Sequence, residues 1–355
     1  MDIRDLYQEL EIIKETKNKR IVLVRSKIDR LLYLKKELPL NNKAIYQQMQ
    51  QLKIKQIPKI YQLQESDDGI IVIEEYINAI SLEEYCLNHD LNRKEVLEIF
   101  KQLCLIVANL HQQKPPIIHR DIKPSNIFYL HQKIYLFDFD ISRNFKDAKK
   151  QDTVLLGSVG YASPEQYGFG QSSQQSDIYA LGILLNFLFT KTLPNEKLAT
   201  GVERTVIEKA TNLDPKSRYN SVIEMMQALN IDSKEYLIKK IVVNLPGLKN
   251  NSVMKKFLAI CGYLILIFSC LTTDLTSNGV LLTGINLWLN RLIILGIVIT
   301  IILFAGNYMD IRNSCFFSQS KSLVLKIFGI IITVFAWILV EILIFTIISN
   351  VLNLS

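Results

Sequence analysis

The stretch that decides the fold is His119-Arg120-Asp121-Ile122-Lys123-Pro124-Ser125-Asn126, followed after a short β-prone run by Asp138-Phe139-Asp140. Phosphoryl transfer needs a carboxylate that orients the attacking hydroxyl and oxygen ligands that hold Mg²⁺ against the phosphates. Asp121 suits the first role, and Asn126 and Asp138 can converge as oxygen ligands of the metal. Lys123 can neutralise the charge that develops on the transferred phosphate. The spacing therefore predicts a phosphotransferase centre with Asp121 and Lys123 as its catalytic residues.

Three further motifs follow this stretch in the chain. They are Gly157-Ser158-Val159-Gly160-Tyr161-Ala162-Ser163-Pro164-Glu165, Asp177-Ile178-Tyr179-Ala180-Leu181-Gly182 and Leu213-Asp214-Pro215-Lys216-Ser217-Arg218-Tyr219. In this order the motifs resemble those of eukaryotic-type (Hanks-type) serine/threonine protein kinases in their bacterial membrane-bound form, over residues 7–230. Lys123 after the catalytic aspartate is similar to the serine/threonine branch. The resemblance implies an α+β, bilobal protein-kinase-like fold with a small β-rich N-lobe and a helical C-lobe.

The resemblance also implies which residues bind the nucleotide. They are the hinge residues Glu75 and Ile77, Phe128 beneath the adenine ring, Lys36 in the third strand, and the metal ligands Asn126 and Asp138. Lys35, on the opposite pleat, is the alternative to Lys36. The implied cofactors are ATP and Mg²⁺, with Mn²⁺ as a second metal. The implied acceptors are serine and threonine hydroxyls of cytoplasmic proteins.

Other residues of these motifs carry structural roles by resemblance. Glu165 and Arg218 would form a buried ion pair, and Asp177 would brace the backbone of the catalytic loop. Ser158 would hydrogen-bond near Asp121 and Lys123. Two alternatives stay open for the loop before it: phosphorylation of Thr153 or Ser158 with Arg120 as the receiving cation, or no modification at all.

The first 75 residues depart from the family pattern. No glycine precedes Gly69, so the glycine-rich phosphate loop is replaced by Lys14-Glu15-Thr16-Lys17-Asn18-Lys19. The cations of this segment could contact phosphate, or the segment could be a solvated hairpin tip in which Asn18 supplies the turn. Asp140 replaces the glycine of the metal motif, and we expect it to adopt a left-handed conformation there.

The usual glutamate partner of the third-strand lysine is also missing. Between Glu37 and Glu65 the sequence has no acidic residue. Lys36 is therefore expected to lack a carboxylate partner on the neighbouring helix and to be organised by ATP phosphates or by Asp138. Two functions remain open: an active kinase of reduced activity, favoured by the complete set of catalytic and metal residues, and a pseudokinase that acts as a scaffold or signalling adaptor at the membrane.

Hydrophobic periodicity supports the prediction of a β-rich lobe followed by a helical lobe. Short β-prone runs lie at 12–13, 21–24, 31–34 and 70–73, with one helical segment at 41–52. After Ser81 apolar residues recur every three or four positions, which predicts helices. The predicted kinase domain spans residues 1–235, and a basic juxtamembrane linker spans 236–256.

Composition divides the chain into two parts. The 355 residues are 49% hydrophobic and 21% charged with a net charge of +7, yet residues 257–355 contain only four basic and three acidic residues. This asymmetry excludes an ordinary globular protein, a disordered chain and a collagen-like chain. The dispersed positive charge predicts no nucleic-acid partner. The five cysteines, without C-x-x-C spacing, indicate neither a disulfide nor a zinc framework.

Three apolar blocks predict an α-helical transmembrane region in residues 257–355, with spans at 257–273, 286–306 and 327–348. Lysines before the first span and basic residues in the loop between the second and third spans place the kinase domain in the cytoplasm and the C-terminus outside. The protein is thus expected to be a multi-pass protein of the cell membrane. Membrane lipid and a second copy, joined through the spans, are the predicted partners of this region. Arg291 and Glu341 are predicted to pair between helices, with separate roles as the alternative.

Overall fold

The computed structural model describes residues 3–144, 158, 160–167, 171–234, 236, 238, 242, 245–248, 252–277, 280–320 and 322–351. The chain divides into two compact units, Met1–Ser233 and Lys234–Ser355. Unit 1 begins with a sheet and continues as helices, which confirms the predicted α+β fold.

The N-lobe is built on a five-stranded antiparallel sheet in the order β1-β2-β3-β5-β4. A short helix, α1 (Ile3–Leu6), precedes it, and the strands are β1 (Tyr7–Thr16), β2 (Lys19–Ser26), β3 (Leu32–Leu38), β4 (Ile60–Ser66) and β5 (Gly69–Glu75). β5 is buried from Gly69 to Glu74 because it lies between β3 and β4. Helix α1 and strand β4 were not predicted.

The helical segment expected at 41–52 is confirmed. A 3₁₀ turn (Leu40–Asn42) leads into α2 (Lys43–Gln50), between β3 and β4. Ile45, Tyr46 and Met49 are its buried residues, at the i, i+1 and i+4 positions of one helix face. That face positions Tyr46 near the catalytic cleft.

The C-lobe is mostly helical. Its elements are β6 (Ile80–Ser81), α3 (Leu82–Asn88), α4 (Arg93–His111), β7 (Ile117–Ile118), β8 (Ile127–Leu130), β9 (Lys133–Leu136), β10 (Arg143–Asn144), α5 (Gln174–Thr190), α6 (Gly201–Ala210) and α7 (Val222–Ala228), with 3₁₀ turns at Pro124–Asn126, Pro164–Tyr167 and Pro215–Ser217. A capping box formed by Asn92 and Glu95 begins α4. Helix α5 packs closely on α6 at Gly182. A Cβ atom added there would lie only 2.8 Å from the Cβ of Ala210.

Unit 2 contains three long helices, α8 (Val253–Thr272), α9 (Gly284–Ala305) and α10 (Leu323–Val351). A short hairpin of β11 (Thr276–Ser277) and β12 (Val280–Leu281) joins the first two, and a 3₁₀ segment (Tyr308–Ser314) joins the last two. All three helices are long and apolar enough to cross a membrane.

The predicted pair of Arg291 and Glu341 does not form. Arg291 donates to the carbonyl oxygen of Thr273, with Nη2 at 2.9 Å. Glu341 Oε1 instead accepts a hydrogen bond of 2.6 Å from Thr300 Oγ1. Thr300 lies nine residues beyond Arg291 along α9, or about 13 Å at the rise of a helix. Glu341 therefore lies opposite a point on α9 too far from Arg291 for the predicted pair.

Candidate active site

The catalytic loop is the segment between β7 and β8, and a buried carboxylate fixes its backbone. Asp177, at the start of α5, accepts hydrogen bonds of 2.9 Å from the backbone N–H groups of His119 and Arg120. His111 Nε2 lies 2.8 Å from the same carboxylate. Burial would raise the pKa of Asp177, but hydrogen bonding to His111 and to the backbone outweighs burial and lowers it. The expected bracing role of Asp177 is confirmed.

Asp121 lies at the centre of a hydrogen-bond network. Its Oδ1 accepts a hydrogen bond of 2.7 Å from Ser158 Oγ, and its Oδ2 accepts one of 2.7 Å from Asn126 Nδ2. Lys123 Nζ lies 3.1 Å from Asp121 Oδ2 and donates to Ser158 Oγ at 2.5 Å. The structure thus brings the two predicted catalytic residues together, with Ser158 where it was expected. The amide oxygen of Asn126 is the atom left to bind a metal, because its amide nitrogen faces Asp121.

Asp138 lies two residues after the end of β9, in a left-handed conformation with φ of 62°. Lys19 Nζ lies 3.0 Å from its Oδ1 and also forms an ion pair with Asp140. Burial would raise the pKa of Asp138, but the ammonium groups of Lys19 and Lys36 outweigh burial and lower it. Asp138 therefore stays ionised in the cleft.

The left-handed conformation expected at Asp140 is wrong, because it falls on Asp138 instead. Hydrogen bonds connect Asp140 to the 3₁₀ turn and the helix that follow β3. Tyr46 Oη donates to Asp140 Oδ1 at 2.5 Å, and Asn42 Nδ2 donates to the Asp140 carbonyl oxygen at 2.6 Å. The residue that replaces the glycine of the metal motif thus has partners on α2, on the preceding 3₁₀ turn and, through Lys19, on β2. The sequence did not predict the contact of Tyr46 with Asp140, because Tyr46 lies among the apolar residues of the helix.

The expected absence of a carboxylate partner on the neighbouring helix is confirmed, since α2 has no acidic residue, but Lys36 is not unpaired. Its Nζ lies 2.7 Å from Glu74 Oε2, and the two side chains are 4% and 6% exposed. The expectation that ATP phosphates or Asp138 alone would organise Lys36 was wrong, because the partner Glu74 lies on β5 and not on the helix. Burial would lower the pKa of Lys36, but Glu74, Asp140 and Asp138 outweigh burial and raise it. One signal could have identified Glu74: it is an acidic residue within the buried run of β5.

Lys35 and Lys36 lie on opposite faces of β3. Lys35 Nζ forms ion pairs with Glu9 and Glu37, the latter at 2.9 Å. Lys36 Nζ instead lies 5.9 Å from the centre of the Tyr46 ring, beside the cleft. The structure therefore places Lys36, and not its alternative, near the metal motif.

The segment without glycine forms the β1–β2 hairpin, with Lys17 and Asn18 in the turn. Lys14 and Lys17 are exposed, as the solvated-tip alternative predicts. Lys19 differs, because it reaches the two aspartates of the metal motif. The solvated hairpin tip is therefore confirmed for Lys14 and Lys17, whereas phosphate contact by the cations of this segment stays a prediction.

The other residues predicted to bind the nucleotide lie on β5, on β8 and in the connection between the lobes. Glu75 ends β5, and its N–H donates to the Lys59 carbonyl oxygen at 2.8 Å. Ile77 follows in the connection to β6. Phe128 on β8 stacks on Phe137, with ring centres 3.8 Å apart.

The supporting ion pair of the C-lobe is confirmed. Arg218 Nη1 and Nη2 contact the two oxygens of Glu165 at 2.8 and 2.9 Å, and both residues are buried. Thr153, one of the two proposed phosphorylation sites, lies outside the described residues. Ser158, the other, is engaged by Asp121 and Lys123.

Comparisons with known proteins agree with this geometry. A family model described as the protein kinase domain matches residues 33–242, starting in β3 after the hairpin. The serine/threonine-protein kinase PrkC of Bacillus subtilis is 36% identical over 196 residues, which cover 48% of this chain and 30% of PrkC. Serine/threonine-protein kinase D of Synechocystis is 32% identical over 200 residues, covering 49% of this chain and 38% of that protein. The chain thus spans about a third of the length of these two relatives.

Proposed function

The chain belongs to the protein kinase family, and on that premise we propose that it is a membrane-anchored enzyme that transfers the γ-phosphate of ATP to serine or threonine hydroxyls of cytoplasmic proteins. The observation that carries this proposal is the network in which Asp121 binds Ser158, Asn126 and Lys123 at once. A scaffold has no chemical need for this arrangement. Both relatives described above are named as serine/threonine kinases, which supports the same acceptor class.

Asp121 and Lys123 would act on the acceptor hydroxyl. Asp121 would orient the hydroxyl and accept its proton as the oxygen bonds to the γ-phosphorus, while the bond from that phosphorus to the β–γ bridging oxygen breaks and ADP leaves. Lys123, 3.1 Å from that carboxylate, would offset the negative charge that develops on the transferred group. Ser158 fixes the two side chains relative to each other, because its hydroxyl donates a hydrogen bond to Asp121 and accepts one from Lys123.

The residues present fit a divalent cation. Asp138 and Asp140 both direct carboxylate oxygens at the Lys19 ammonium, so this part of the cleft already holds a positive charge. Asn126 and Asp138 would hold Mg²⁺ or Mn²⁺, since carboxylate and amide oxygens are the ligands that such hard cations prefer. The metal would supply charge neutralisation at the phosphates.

The nucleotide would lie between the lobes. The backbone of Glu75 and Ile77 would contact the adenine edge, with Phe128 beneath the ring. Lys36 would contact the phosphates. Activity would be reduced, because Lys19 must leave the metal motif before a cation can bind there.

The second unit would be the anchor. We assign residues 1–235 to the kinase domain, 236–256 to a basic juxtamembrane linker and 257–355 to a membrane region with spans at 257–273, 286–306 and 327–348. The three long apolar helices of unit 2 support this assignment. Lysines before the first span favour a cytoplasmic kinase domain and an extracytoplasmic C-terminus. Lipid, and a second copy bound through these helices, would be the partners of this region.

Phosphate transfer in the presence of labelled ATP tests the proposal. The full-length chain, purified in detergent, should label dephosphorylated casein with Mg²⁺ or Mn²⁺. The Asp121→Ala variant should lose this labelling by at least about 10³-fold, because it lacks the group that orients the acceptor. Asp67→Ala, at an exposed turn, is the matched control and should label as the wild type does. Labelling that survives in Asp121→Ala would contradict the assignment.

A pseudokinase that acts as a membrane scaffold or signalling adaptor is the second candidate. The observation that favours it is Lys19, which occupies the metal motif with its own charge. Equilibrium binding of Mg·ATP to the full-length chain separates the two functions. The enzyme requires binding that depends on Asp138, whereas the scaffold predicts no binding and no labelling with either metal.

A further inference from the structure

The partner of Lys36 belongs to the sheet and not to a helix. Lys36 on β3 pairs across the ladder with Val72 of β5, and Leu34 pairs with Glu74. Glu74 is therefore the diagonal neighbour of Lys36, on the same face of two adjacent strands. Diagonal neighbours lie within reach of long side chains, and here the charged atoms are 2.7 Å apart.

Helix α2 offers no carboxylate for this role. Its sequence, Lys43-Ala-Ile-Tyr-Gln-Gln-Met-Gln50, contains no acidic residue. Tyr46 is the residue of this helix that faces Lys36, with its ring centre 5.9 Å from the ammonium. Tyr46 donates its hydroxyl to Asp140, so it serves the metal motif instead.

In protein kinases the lysine of the third strand and a glutamate of the following helix must pair for activity, and helix position controls that pairing. We infer that Glu74 is the positioning residue that replaces the helix carboxylate and holds Lys36 toward the nucleotide phosphates. This inference rests on the proposed function. Because both partners belong to the sheet, the pair forms whatever position α2 takes.

The stability of the fold gives little reason for such a pair. Removing two charges from water costs about as much as their attraction returns, and buried ion pairs can often be replaced by apolar residues without loss. Glu74 directly follows the buried apolar run Ile70-Ile71-Val72-Ile73 and is itself buried. A role in orienting Lys36 explains the carboxylate at this position.

Orientation of Lys36 and contact with the metal motif are thus assigned to different residues of the N-lobe. Glu74 orients Lys36, while Tyr46 of α2 and Asn42 of the preceding 3₁₀ turn contact the metal motif. A displacement of α2 would accordingly alter metal binding and leave the Lys36 pair intact.

The test measures two properties of the full-length chain in detergent. The first is equilibrium binding of Mg·ATP. The second is the pH dependence of acylation at Lys36 by a lysine-directed electrophile in the absence of nucleotide, located by peptide mass spectrometry. The variants are Glu74→Gln, which keeps the shape but removes the charge, and Glu74→Asp, which keeps the charge. Glu65→Gln, at an exposed position of β4 where the carboxylate pairs with Lys43, is the matched control.

Glu74→Gln should bind Mg·ATP at least about tenfold more weakly, and its pH midpoint for Lys36 acylation should fall by about one unit, because the ammonium loses its main counter-charge. Glu74→Asp should recover most of both properties, and Glu65→Gln should match the wild type. Equal weakening in both Glu74 variants without a shift of the pH midpoint would assign Glu74 to packing and overturn the inference. Wild-type binding that Glu74→Gln retains within twofold would also overturn it, while leaving the proposed function intact. A wild-type chain that binds no Mg·ATP would remove both.

Discussion

Lys19 Nζ lies 3.0 Å from Asp138 Oδ1, so a side chain from the start of β2 occupies the motif that is proposed to hold the metal. The same ammonium pairs with Asp140. A cation that enters this motif must displace the lysine. The hairpin and the metal therefore compete for the same two carboxylates.

This competition predicts the effect of Lys19→Met. The variant should bind Mn²⁺ without nucleotide about fivefold more tightly, because a partly exposed ion pair contributes about 1 kcal/mol. Titration calorimetry of the full-length chain would measure the dissociation constant. Lys17→Met, at the exposed turn, is the control and should leave Mn²⁺ binding unchanged. An unchanged constant in Lys19→Met would show that the lysine does not compete with the metal.

Ser158→Ala should lower kcat by about 10-fold to 100-fold. The hydroxyl bridges Asp121 and Lys123, and a hydrogen bond to a charged group contributes about 1.5–3 kcal/mol. Steady-state phosphorylation of casein would measure kcat and KM separately. The nucleotide KM should change little, since Ser158 contacts the residues that act on the acceptor. Ser66→Ala, at the β4–β5 turn, is the control. A rise in nucleotide KM at unchanged kcat would contradict this role.

Glu165→Ala should destabilise unit 1 by about 3–5 kcal/mol, because it leaves the guanidinium of Arg218 buried without its counter-ion. Pulse proteolysis in urea, which measures the intact fraction of unit 1, would give the free energy of unfolding. Glu208→Ala removes an exposed pair with Arg204 and should cost less than about 1 kcal/mol. Equal costs for the two variants would refute the structural role of the Glu165–Arg218 pair.

Acid should destabilise unit 1 in two stages. Burial lowers the pKa of His119 from its ordinary value of 6.5, so below that pH the unfolded chain binds a proton that the folded chain excludes. Glu165 is also buried, but its hydrogen bonds to Arg218 and Ser176 outweigh burial and lower its pKa from 4.5. The unfolded chain again binds the extra proton, and stability therefore falls as the pH falls through each range.

Thermal unfolding followed by circular dichroism at pH 7.5, 6, 5 and 4 would measure this dependence. Glu165→Gln should show a smaller decrease in midpoint temperature between pH 5 and 4 than the wild type, because that variant has no carboxyl group to protonate. A wild-type midpoint that does not change with pH would contradict the prediction.

The catalytic loop could be predicted because its roles depend on residues that are close in sequence. Asp121, Lys123 and Asn126 lie within six positions, and a short loop brings such residues together whatever the rest of the fold does. Asp177 and Glu165 were predicted from motifs whose partners the family resemblance supplied. The two hydrogen bonds of 2.9 Å from the loop backbone to Asp177 agree with the role that the resemblance implied.

The N-lobe could not be predicted to the same depth, because its contacts depend on strand register. The diagonal relation between Lys36 and Glu74 follows from the pairing of Leu34 with Glu74, and a shift of one residue would place Glu74 on the other face. Hydrophobic periodicity does not fix that register. Strand β4 was missed for a related reason: its polar residues Gln62, Gln64 and Glu65 conceal a strand that lies at the sheet edge.

In unit 2 the hydrogen bond from Thr300 to Glu341 predicts which helix contact contributes to stability. A double-mutant cycle of Thr300→Ala and Glu341→Gln, with unfolding of the full-length chain measured by titration with a denaturing detergent, should give a coupling energy of about 0.6–1.7 kcal/mol, the range for hydrogen bonds between membrane helices. The cycle of Arg291→Ala with Glu341→Gln should be additive, because Arg291 donates to Thr273 instead. Coupling in the second cycle and none in the first would restore the ion pair predicted from sequence and would place α10 differently against α9.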